Sequence, residues 1–113
     1  MKEFLLIFRA DYSLIAERSP EERQAMTQRY MDWISGIAEK GKLVDRGNRL
    51  APTGKVVAGG DVITNGPYTE VKEFVGGYSV IKAESDEEAA SLVKGCPVFE
   101  LNGRVEIREI NYL

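Results

Sequence analysis

The chain has 113 residues, 43% of them hydrophobic and 29% charged, which suits one compact domain over residues 1–113. Its 15 basic and 18 acidic residues leave a net charge of -3 with neither sign in a long run, so the basic footprint of a nucleic-acid binder is missing. With no histidine and a single cysteine, Cys96, an internal disulfide and the usual zinc site are excluded, and no metal or cofactor is expected.

The N-terminal "MKEFLLIFRAD" holds five consecutive apolar residues, Phe4 to Phe8. That run is too short for a membrane span or a signal-peptide core, so a cytoplasmic protein without membrane attachment is expected. The same run predicts a strand that is apolar on both faces, with Phe4, Leu6 and Phe8 pointing one way and Leu5 and Ile7 the other. Ser19, Pro20 and Glu22 then make a capping box at a helix start. From there Met26, Tyr30, Trp33, Ile34 and Ile37 form one apolar stripe, closed by Gly41. On that stripe Trp33 reads as core rather than as a stacking platform.

"KLVDRGNRLAPTGKVVAGGDVITNGPYTE" predicts short strands near Lys42–Asp45 and Lys55–Ala58, and a hairpin arm near Asp61–Thr64. A turn is expected at Asn65-Gly66, where positive φ angles are cheap, and Pro67 keeps the return strand peripheral. "EFVGGYSVIKA" predicts a longer strand, with Phe74, Tyr78 and Val80 on one face and Val75 and Ile81 on the other. Gly76 and Gly77 in its middle mark a bulge or a close backbone approach. A second capped helix follows from Ser85 and Glu88, with Ala89, Leu92 and Val93 facing inward and Gly95 and Pro97 ending it. "GRVEIREI" predicts a last strand that is apolar on one side only.

Strand, helix, a block of strands, helix, strand is the order of an α+β fold of the ferredoxin-like split βαβ kind, with an antiparallel sheet. Its first strand should be central and its last at an edge. Two helices cover only one face of such a sheet, yet the first strand is apolar on both. A second copy of the chain is the simplest cover for the other face, so a homodimer packed sheet to sheet is expected.

The stretch "TNGPYTEVKEFVGGYSVI" matches neither phosphate-loop pattern, G-x-x-x-x-G-K-[ST] or G-x-G-x-x-G. It resembles the D-G-P-F…E-x-K-E…G-G-Y/F segment of the YCII-related proteins, in the subgroup named for its Asp-Gly-Pro-Phe (DGPF) motif. "KLVDRGNRLAP" and "KGCPVFELNGRVEIREI" are similar to that family's middle and end, so the resemblance covers most of the chain. It implies a dimeric α/β barrel with a pocket near the dimer interface and, for some members, a transcription-related association with sigma factors. Asn65 stands where the motif has aspartate, and Tyr68 where it has phenylalanine. The histidine–aspartate pair of some members cannot be carried over to a chain without histidine.

Within the motif, Glu70 and Lys72 lie two apart on a strand and share a face, the geometry of an acid and a base serving one pocket, or of an ordinary surface ion pair. They are the candidate catalytic residues. Candidate ligand-binding residues are Tyr68 and Glu73 beside them, and Arg9 and Asp11 at the end of the first strand; Arg46 and Asp61 are weaker candidates of the same type. Asn65, Gly66, Pro67, Gly76 and Gly77 are read as the structural part of the motif. Cys96 has no basic neighbour in sequence and reads as an inert thiol. The expected function is binding or transforming a small molecule in a cleft near the dimer interface. The alternative is an interaction module beside the transcription-initiation machinery, with no chemistry of its own.

Overall fold

The computed structural model describes residues 1–60, 62–66 and 74–113. It is a mixed α+β structure with two antiparallel sheets. The main sheet has four strands, β1 (Lys2–Ala10), β2 (Leu43–Asp45), β5 (Phe74–Ala83) and β6 (Arg104–Glu109), in the order β2-β5-β1-β6. The first strand is therefore internal and the last lies at an edge, as its one-sided polarity requires. One face of this sheet is covered by α2 (Pro20–Glu39), α3 (Asp86–Val93) and a 3₁₀ helix at Pro97–Leu101.

The helices begin and end where the capping chemistry sets them. Ser19 accepts the Glu22 backbone N–H at 3.1 Å and Pro20 opens α2, while Ser85 accepts the Glu88 N–H at 3.1 Å at the start of α3. Gly41 (φ 71°) and Gly95 (φ 88°) follow the two helix ends. The stripe of α2 buries Met26, Ile34 and Ile37 and half-buries Tyr30 and Trp33. These meet Phe4, Leu6, Phe8 and Ala10 of β1, with Ala89 and Val93 of α3 alongside. Burying each large apolar side chain of this set contributes about 1.5–3 kcal/mol. Trp33 is core, edge-on to Phe8 with ring centroids 6.0 Å apart, and its Nε1 donates to the Leu92 carbonyl at 3.2 Å.

The glycine pair of β5 is a bulge and also a close approach. Phe8 lies opposite Gly77 but Arg9 lies opposite Val75, so Gly76 is the extra residue. One inserted residue inverts the alternation of everything before it. Phe74 therefore shares the helix-covered face with Ile81, and Val75 the open face with Tyr78 and Val80, which reverses the expectation for Phe74 and Val75. At Gly77, a Cβ would stand 3.0 Å from the Asn48 carbonyl oxygen.

The other sheet is a hairpin arm, β3 (Gly54–Ala58) with β4 (Val62–Gly66), joined to no other described strand. The chain reverses at Gly59 and Gly60 (φ 60° and 77°), not at Asn65-Gly66. Asn65 and Gly66 pair within β4, opposite Lys55 and Gly54. Both dipeptides suit a turn with two positive φ angles, but Gly-Gly has no Cβ penalty at either position, and it takes the turn. Val57, Val62 and Ile63 on the arm are 56–63% exposed. The radius of gyration, 15.4 Å, exceeds the about 13 Å of a compact chain of this length, as a projecting arm requires.

The face of the main sheet opposite the helices presents Leu5, Ile7, Val75, Tyr78 and Val80, all half-buried. Arg9, Glu106 and Arg108 border it. No described helix or strand packs over this face. Among the described residues, no helix is long and apolar enough to cross a membrane.

Candidate functional site

Between the helices and one end of the main sheet lies a cavity of about 310 Å³. Its floor is apolar: Phe8 from β1, Met26 and Met31 from α2, and Pro97, Val98 and Leu101 from the 3₁₀ helix. Its rim is polar and basic, with Tyr12, Arg23, Tyr30, Arg46, Asn48 and Arg49. No aspartate or glutamate lines it among the described residues.

The rim is held in place by the segment after β2, which runs along β5 as an irregular edge. The Tyr78 N–H donates to the Asn48 carbonyl at 3.3 Å, the Leu50 N–H to the Gly76 carbonyl at 2.8 Å, and Arg49 bridges to Gly77. Gly47 makes this course possible. Its φ is +72°, and a Cβ there would lie 1.7 Å from the Tyr78 carbonyl oxygen. The segment thus presents Arg46 and Arg49 on either side of Gly47-Asn48 at the cavity mouth.

Beneath them sits Ser79, a fully buried serine on β5. Its Oγ donates to the Arg46 carbonyl at 2.6 Å and lies 3.3 Å from the Tyr30 hydroxyl. A serine hydroxyl carries one proton, so with that proton on the Arg46 carbonyl, Tyr30 is the donor in the second bond. Tyr30 is thereby locked against Phe8, edge-on with centroids 5.9 Å apart. Tyr12, tilted against Phe74 at 5.4 Å, has no hydrogen-bond partner for its hydroxyl among the described residues. Burial pushes its pKa up to about 12 against the pull of Arg49. The Tyr30 pKa is also raised by burial, against the charges of Arg46 and Arg49. Both phenols therefore stay protonated through the neutral range. Cys96 is buried nearby, its thiol pushed up to about 11 by burial, so it is a weak nucleophile.

The sequence-derived candidates distribute unevenly over this geometry. Arg9 stands on the open face, its Nε donating to Glu106 at 3.1 Å, with Arg108 on the other oxygen of the same carboxylate at 3.2 Å. These two guanidiniums, Arg108 before Arg9, hold the Glu106 carboxyl below its ordinary value. Asp11 accepts the Ser13 N–H at 3.1 Å and the Ser13 hydroxyl, shaping the short helix α1 (Ser13–Ala16). Neither Arg9 nor Asp11 lines the cavity. Gly76, Gly77 and Arg46 do. Pro67, Tyr68, Glu70, Lys72 and Glu73, together with Asp61, lie outside the described residues. Tyr12 and Arg49 have no place among the sequence-derived candidates, and Tyr30 is there only as part of the helix stripe. The one available signal was two arginines flanking Gly47-Asn48 in a turn-forming segment. Among the described residues no group of three or more cysteine or acidic side chains could hold a metal ion.

The fold and cavity define a small α+β protein with an apolar pocket rimmed by arginine and tyrosine. The YCII-related domain matches residues 1–112, and the chain belongs to that family. Comparison with curated proteins gives no significant match.

Proposed function

We propose that the protein binds a small organic molecule in the arginine-rimmed cavity and works as a homodimer. The carrying observation is the cavity itself: about 310 Å³, with an apolar floor and a few polar groups converging at its mouth, the usual make-up of a ligand pocket. The order β2-β5-β1-β6, with helices on one face, supports a ferredoxin-like split βαβ fold. The open face of Leu5, Ile7, Tyr78 and Val80 supports sheet-to-sheet pairing as in a dimeric α/β barrel. The resemblance to the Asp-Gly-Pro-Phe subgroup belongs to the same reading. So does the role of Glu70 as general base with Lys72 as its electrostatic partner, should the bound molecule be transformed. The reading as a transcription-linked interaction module has no feature of the geometry in its favour.

A thermal-shift screen of single-ring and short-chain compounds tests the pocket. At least one should raise the melting temperature with dose and lose its effect in Thr27→Phe, which fills the mouth from an exposed position of α2. Absence of any such compound across a broad panel overturns the reading. Sedimentation equilibrium tests the dimer: the expected mass is twice 12.6 kDa, falling to one chain in Val80→Glu. Wild-type protein sedimenting as a single chain overturns it.

A further inference from the structure

Resting on the reading of the cavity as a ligand site, we infer that its ligand class is a carboxylic acid with a flat apolar body, its carboxylate held between Arg46 and Arg49. The first support is the contrast among arginines. Arg9 and Arg108 pair with Glu106, and Arg18 and Arg29 with Glu100. Arg23, Arg46 and Arg49 have no acidic group within 4.0 Å among the described residues, although acids outnumber bases 18 to 15 in the chain. Unpaired guanidiniums at the mouth of an apolar pocket are a fitted receptor for an anion, because their planar donor forks match a carboxylate.

The second support is the placement of the rim. The backbone bonds of the Arg46–Leu50 segment to β5 fix the Cα positions of both arginines at the mouth, so a ligand has only their side chains to order. The Tyr30 proton is committed to Ser79, which leaves the Tyr12 hydroxyl as the phenolic donor free to face the ligand. The third support is the floor. Phe8, Met26, Met31, Val98 and Leu101 offer no polar side-chain group to a charge, so the ligand's body inside the cavity is apolar and its carboxylate stays at the rim. A cavity near the lower end of the about 300–1,000 Å³ range of ligand pockets suits one ring.

The test uses the intact protein and isothermal titration with benzoate, phenylacetate and cinnamate, each against its primary amide, with phenyl phosphate and inorganic phosphate as further arms. At least one acid should bind roughly ten-fold or more tighter than its amide, the worth of charge-assisted hydrogen bonds. The preference should disappear in the Arg46→Gln, Arg49→Gln double variant. Both positions are exposed, so the fold should persist, and an unchanged melting temperature verifies it. Equal binding of acid and amide overturns the carboxylate assignment and leaves the pocket standing. Tighter binding of phenyl phosphate or inorganic phosphate overturns it in favour of a phosphate ligand. No binding by any arm overturns it as well, and the compound screen then decides whether the pocket reading fails with it.

Discussion

Gly47→Ala should unfasten the cavity rim from β5. The native φ of +72° costs a residue with a Cβ about 1 kcal/mol. The new Cβ would also meet the Tyr78 carbonyl oxygen at 1.7 Å and its carbon at 2.6 Å. Both are backbone atoms of an internal strand, so the Arg46–Leu50 segment has to retreat, by about 2 Å to reach ordinary contact. Bonds of 2.6 Å from Ser79 to the Arg46 carbonyl and 3.3 Å from Tyr78 to the Asn48 carbonyl do not survive that shift. At roughly 1 kcal/mol each, the total loss is about 3 kcal/mol, or ~12 °C in melting temperature for a domain of this size. Urea unfolding followed by Trp33 fluorescence reads it, since the single tryptophan packs on Phe8 and Tyr30. Gly47→Asn is the control. Asparagine accepts positive φ but carries the same Cβ, so it should lose nearly as much. Stability within ~0.5 kcal/mol of wild type in either variant refutes the close-approach reasoning.

Alkaline titration at 295 nm should show Tyr12 among the last tyrosines to ionise, near its value of about 12, and the late phase should shrink in Tyr12→Phe. The native pKa is raised above the unfolded value of about 10, so this group's contribution to stability is whole below pH 10. It is lost as the pH climbs towards 12; a Tyr12 ionising near 10 contradicts its burial. Cys96, with its thiol pushed up to about 11, should react with a thiol reagent at pH 8 roughly 100-fold or more slowly in native than in unfolded protein. Equal rates would show that the thiol is not enclosed.

Local chemistry made much of this protein legible in one dimension. Ser19, Ser85, Gly41 and Gly95 bound the helices because capping involves residues within one turn. The two-sided run Phe4–Phe8 declared an internal strand because a strand's faces alternate with period two. What the sequence left open was settled by contacts between distant segments. The faces of Phe74 and Val75 depend on whether Gly76 is inserted as a bulge, and that is decided by its pairing with β1. The hairpin turn fell to Gly59-Gly60 over Asn65-Gly66 through the register of β3 against β4, a competition between two locally suitable sites. The cavity is the clearest case. Tyr12, Tyr30, Arg46 and Arg49 come from two helical regions and a loop, and no periodicity joins them. They converge because Gly47 lets the loop lie against the backbone of β5, where a side chain would not fit.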